Sequence, residues 1–229
     1  MGQYMRENVN TVTRHYARLT LQTNAVIRST YLLLSLTLFF STFITWIGMV
    51  TYAPVFGLLS VPIYMGLLFL TQLFSNSSLG LLFVFAFTGF MGYSLGPILD
   101  LIMSEFNNGA ELVMVSSGLT GLVFLTLSGY ALTSQKDFSY LNGFLFAASI
   151  IGLITGIAAL FLQIPLLYLM SSAGFALIAS GMILFETSQI IHGGQHNYIL
   201  ATVSLYASIY NLFISLLQLL MAFAGKRDE

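Results

Sequence analysis

The chain has 229 residues, of which 57% are hydrophobic and 7% charged, against roughly 25% charged residues in an ordinary soluble domain. Its formal net charge of −1 argues against a nucleic-acid footprint. The absence of cysteine excludes a disulfide framework and any thiolate metal site. No Asp, Glu, Lys or Arg occurs between Arg28 and Asp100, between Asp137 and Glu186, or between Glu186 and Lys226; those stretches are written for lipid.

In chain order, residues 1–29 read as a polar cytosolic N-terminal tail carrying Arg6, Arg14, Arg18 and Arg28. The apolar run that follows is too long for a signal-peptide core, so the first span is expected to act as an uncleaved anchor. A helix needs about 20 mostly apolar residues to cross the hydrocarbon. Turn-like breaks divide the chain into seven such pieces: Thr30–Thr51, Pro54–Phe74, Leu79–Met103, Ala110–Thr133, Tyr140–Leu162, Leu166–Ile191 and Tyr198–Phe223. The expected fold is all-α, an integral membrane bundle over 30–223 with a short C-terminal tail at 224–229. Short connections predict antiparallel neighbours in one domain.

The positive-inside rule places the four tail arginines in the cytoplasm, and Lys136 then falls on the same side. Asp100, Glu105 and Glu111 fall together on the outside as an acidic rim, and seven spans put the C-terminus there too. In a bacterium this predicts an inner-membrane protein with a periplasmic C-terminus.

Helices in lipid associate through close packing and interhelical hydrogen bonds, which favours small residues at their contacts. Gly89, Gly92 and Gly96 recur on the third span ahead of Pro97, which should kink or end that helix. Gly152 and Gly156 share a face of the fifth, and Ser172, Ala176 and Ser180 a face of the sixth. All read first as packing surfaces. On the seventh span Ser204, Ser208, Asn211, Ser215 and Gln218 follow spacings of 4, 3, 4 and 3. They form a polar seam about 21 Å long at 1.5 Å per residue. Facing lipid would be costly for such groups, so this helix is expected at the centre, its seam turned to partner helices or to a hydrated path.

The sixth span ends in "FETSQII", where Glu186 is the single acid of an apolar segment. Two readings stand: a carboxylate that snorkels to water from near the helix end, or a buried carboxyl whose protonation switches hydrogen bonds to Ser208 and Asn211. Intramembrane acids usually face a bundle interior or a cavity.

Catalytic patterns fit poorly, and no enzyme is expected. "GYSLG" at Gly92–Gly96 matches G-x-S-x-G, but a nucleophile elbow needs a strand-to-helix turn and a base, whereas this stretch lies in an apolar helix. "HGGQH" at His192–His196 has the spacing of a zinc-binding pair, yet Gly193 stands where the metalloprotease motif has Glu. Loop polarity is the better account. A retinal protein needs a lysine within a span, and none is there.

"GYSLGPI" in the third span, "LFETSQII" in the sixth and "SLYASIYNLFISLLQLL" in the seventh resemble the transmembrane Bax inhibitor motif family along nearly the whole chain. They are closest to its proteobacterial inner-membrane branch. The resemblance implies seven helices with the last in the middle, and a protein that binds and inhibits a membrane-bound AAA+ protease of the FtsH type. An extended tail of 28 residues would reach about 90 Å toward such an enzyme. The family also implies an alternative: a pH-sensitive calcium leak gated by an acidic pair on the sixth and seventh helices, helped by an arginine on the second. Glu186 matches the first acid, Ser208 stands where the second would be, and the second span has no arginine. A two-acid latch therefore cannot form in that way. No cofactor is expected, save calcium under the alternative.

Overall fold

The computed structural model describes residues 2–224, with side chains from residue 23 onward apart from Leu58. The backbone of the expected N-terminal tail, residues 2–29, is described as the first part of a long helix, whereas of the expected C-terminal tail, 224–229, only Ala224 lies among the described residues. The described chain is all-helical: α1 Gly2–Val50, a single 3-10 turn Gly57–Leu59, α2 Ser60–Leu73, α3 Ser78–Glu105, α4 Gly109–Ser134, α5 Leu141–Leu162, α6 Pro165–Ile191 and α7 Tyr198–Phe223. Six of these carry apolar stretches long enough to cross a bilayer, beginning with Thr23–Val50 of α1.

The second helix differs from the expected Pro54–Phe74. It has 14 residues, because Pro54 lacks an amide donor and Gly57 adopts φ +51°, which breaks the helical ladder ahead of the 3-10 turn. At about 1.5 Å per α-helical residue and 2.0 Å per 3-10 residue, Gly57–Leu73 still extends about 27 Å, close to the hydrocarbon thickness. Pro97, by contrast, lies inside α3, and the helix continues past it to Glu105.

α1 and α3 cross with their backbones nearly touching. A Cβ on Gly48 would lie 2.7 Å from the carbonyl oxygen of Tyr93, and one on Gly96 would lie 2.8 Å from the Cα of Gly48. Gly92 faces the main chain of Ser41, and Gly89 sits beneath the Phe40 ring. The glycine row of the third span is thus a contact face. On α5, Gly152 and Gly156 make room for Phe175 of α6, whose ring atoms come within 3.2 and 3.3 Å of added Cβ positions.

α7 packs against α1, α2, α3, α4 and α6, whereas among the described residues α5 packs on α6 alone. The main apolar cluster accordingly forms around α7, with Leu205, Tyr206, Ile209 and Leu212 meeting Leu34 of α1, Val84 and Phe87 of α3 and Ile183 of α6. The opposite surface of α5 is open, with Phe144, Phe146, Ile154 and Phe161 all exposed, as suits a helix bathed in lipid.

Candidate functional site

Glu186, Thr187 and Ser188 follow one another near the end of α6, and successive helical residues project about 100° apart. Each therefore reaches a different neighbour. Glu186 turns to α7, where the Ser208 hydroxyl donates to its Oε2 at 3.1 Å. Thr187, fully buried, meets the Ser128 hydroxyl of α4 at 3.2 Å and the Tyr31 hydroxyl of α1 at 3.4 Å. Ser188 accepts from the Phe138 amide at 2.9 Å and donates to the Lys136 carbonyl at 3.3 Å, fastening the α4–α5 loop. Three polar residues in a row join α6 to α1, α4, α7 and a loop.

Glu186 is part-buried, about 7.5 Å from the helix end at 1.5 Å per residue. A single hydroxyl is thin compensation for a carboxylate taken from water, which makes the Ser208 contact the central polar interaction of the site. A thermodynamic cycle of Glu186→Gln, Ser208→Ala and the double variant should give a coupling of about 0.6–2 kcal/mol, the range for interhelical bonds in membranes. Additive destabilisation in detergent unfolding would show that the pair does not interact.

The seam on α7 is partly inward. Ser208 and Ser215 are buried, and Gln218 accepts a 2.8 Å hydrogen bond from Ser172 of α6. Ser204 is half-buried. Asn211 departs from expectation: it is exposed and does not join Glu186. The reason is α5, which stops short of α7 and leaves that turn of the helix uncovered. Asp100, Glu105 and Glu111 are all exposed at the α3–α4 end, with Glu111 in the first turn of α4, where a carboxylate suits the helix dipole.

The residues of the two catalytic look-alikes make local contacts. The Ser94 hydroxyl is spent on the Phe90 carbonyl at 2.8 Å within its own helix. His192 lies with Nδ1 2.9 Å from the Ser188 carbonyl oxygen and Nε2 3.1 Å from that of Gln135, bracing the same loop as Ser188. Gly193, at φ +72°, provides the left-handed turn that ends α6. In that loop the Asp137 carboxyl lies below its usual range, because the Ser139 hydroxyl and amide both donate to it.

Two features had no place in the sequence reading. Asn197 caps α7 by accepting from the Ile199 amide at 2.9 Å, while its Nδ2 donates to the Ser75 carbonyl and to Asn76 Oδ1, both at 3.0 Å. An Asn directly before an apolar period is the signal that marks such a cap. Tyr206, 2% exposed, donates to the Thr88 carbonyl at 3.2 Å and is bonded by Ser41, linking α7 to α3 and α1. Tyr206 also lines a cavity of about 350 Å³ between α1, α3, α4 and α7.

A lipid-embedded all-helical bundle, wound around its seventh helix and pinned by a three-residue polar junction, defines a polytopic membrane protein. The chain belongs to the family described as Inhibitor of apoptosis-promoting Bax1, which matches residues 23–225. It is 50% identical over 201 residues to the "Modulator of FtsH protease YccA" of Escherichia coli K12, covering 87% of this chain and 91% of that protein. The corresponding protein of E. coli O6:H1, called "Inner membrane protein YccA", matches at the same identity and coverage. An uncharacterised protein of Pseudomonas aeruginosa is 48% identical over 208 residues, covering 90% of this chain and 93% of the other.

Proposed function

We propose that this protein resides in a bacterial inner membrane and binds and inhibits a membrane-bound AAA+ protease of the FtsH type. The observation that carries this reading is the 50% identity, over 87% of the chain, to a protein named as a modulator of that protease. Its physical basis is resistance to extraction. A processive protease that seizes the N-terminal part of α1 must pull out the rest of that helix, which is locked against α3 by backbone contact at Gly48 and Gly96 and against α6 through Tyr31 and Thr187. Drawing α1 out also strips apolar surface and hydrogen bonds from α7. A substrate that engages readily and unravels slowly occupies the enzyme.

Deletion of Met1 to Thr20 should abolish degradation by the reconstituted protease and relieve inhibition of a second substrate. Unchanged turnover and unchanged inhibition would refute the tail as the point of engagement. The cation-leak alternative draws less from the geometry. Glu186 faces a serine where the pair would need a second carboxyl, and one carboxylate with a hydroxyl falls well short of the 6–8 oxygens calcium takes.

A further inference from the structure

Because α5 rests on α6 and does not reach α7, a crevice of about 370 Å³ opens between the three helices in the half of the bundle nearer Asp100. Its volume lies in the range of small-molecule sites. The walls are Leu153, Ile157 and Leu160 of α5, Phe175 of α6 and Ile214 of α7. Into it also face Ser171, Asn211 and Ser215. Ser171 is 8% and Ser215 2% exposed, and neither they nor Asn211 takes a hydrogen bond from any described residue. The Ser171 hydroxyl lies 3.5 Å from where a Cβ on Gly156 would stand, so it points toward α5 and not back along its own helix.

Elsewhere in the spans serine and threonine hydroxyls are mostly spent on their own helices. In the cavity beside Tyr206, Thr45 donates to the Ser41 carbonyl, Ser117 to Val113 and Thr120 to Ser116. Three open polar groups converging on one crevice at membrane depth are an exception, because each unmet group there costs free energy.

We propose that this crevice binds a neutral, bilayer-soluble amphiphile with a small hydroxyl- or amide-bearing head. The head bonds Asn211, Ser171 and Ser215, each able both to donate and to accept, and the chain lies along Leu153, Ile157 and Phe175. Among the described residues no Asp, Glu, Lys or Arg lines the crevice, so a charged head finds no partner there. Asn211 lies about 18 Å along the helix from its Phe223 end at 1.5 Å per residue, a depth that charged lipid heads avoid and a long-chain alcohol tolerates. The gap between α5 and α7 is the lateral door from the bilayer. This site is independent of protease modulation.

The test is photolabelling of the full-length protein in nanodiscs with a diazirine-bearing hexadecanol, mapped by peptide mass spectrometry. Labels should concentrate on the α5, α6 and α7 segments that line the crevice. Excess hexadecanol should reduce them at least fivefold, while hexadecane and palmitate should not. Asn211→Leu and Ser171→Val should lower labelling as much, and Ser117→Ala in the other cavity should leave it unchanged. Leu153→Trp, at an exposed position where folding is not at stake, should narrow the crevice and give the same loss. Labels spread evenly over lipid-facing residues such as Phe39 and Phe146, or equal competition by hexadecane, would overturn the proposal. So would labelling that survives all three crevice variants, which would mark the crevice as merely wet.

Discussion

Gly96→Leu is expected to separate α1 from α3 and leave the protein unable to hold its bundle. The atoms in the way are the main chain of Gly48 and Met49, within 2.8 Å of the new Cβ, and main chain has no rotamer with which to yield. Overpacking typically costs 1–3 kcal/mol; with helix backbones as the obstacle the loss should be about 3 kcal/mol or more. Thermal unfolding in detergent should show a large drop in midpoint, with little protein recovered from membranes. Gly118→Leu on α4, where nothing lies within 4 Å, is the matched control and should behave as the parent. Equal stability of the two variants would mean that the α1–α3 crossing is not held by close approach. Because the N-terminal segment belongs to α1 itself, the same variant should also be degraded faster by the reconstituted protease.

Tyr206→Ala is the second large effect. The ring is 2% exposed and lies edge-on to Phe87 at 6.3 Å. Removing a large buried aromatic costs about 3–5 kcal/mol through lost contacts and the void left behind. Tyr206→Phe keeps the ring and removes the hydroxyl that joins Ser41 to the Thr88 carbonyl, so it should cost about 1 kcal/mol. The ratio between the two, read from unfolding curves, separates ring packing from hydrogen bonding. If Phe proves as damaging as Ala, the link between α1 and α3 through the hydroxyl is the dominant contribution.

Much of the architecture was legible because charge and hydropathy are nearly binary in this chain. The charge-free runs end at Arg28, Asp100, Asp137 and Lys226, and helix α7 begins and ends where its apolar period does, at Tyr198 and Phe223. The second span was the exception. Pro54 and Gly57 lie within an apolar run, and apolarity says where lipid can be tolerated without saying where the backbone keeps its helical ladder. At the site, a contact between Glu186 and the polar face of α7 was legible from the spacing of that helix and the rarity of an intramembrane acid, and the family resemblance singled out Ser208 on that face. Thr187 and Ser188 were not. Their hydroxyls are weakly polar in any hydropathy reading, and their partners Tyr31, Ser128 and Phe138 are brought to them only by the fold. Asn211 was misplaced for a related reason: a spacing pattern finds the face of a helix, but whether a neighbour covers that face depends on how far α5 leans.

The position of α7 has a consequence for how this molecule comes into being. Translation proceeds at about 5–20 residues per second, and the strut around which five other helices gather is made after all of them. Until the segment from Tyr198 onward leaves the ribosome, the earlier helices lie in the bilayer without the surface they are shaped to meet, apolar side chains such as Leu34, Val84 and Ile183 open to other nascent chains and to quality control. Maturation therefore completes in one late step, and a chain interrupted before that step would be a bundle's circumference with nothing inside it.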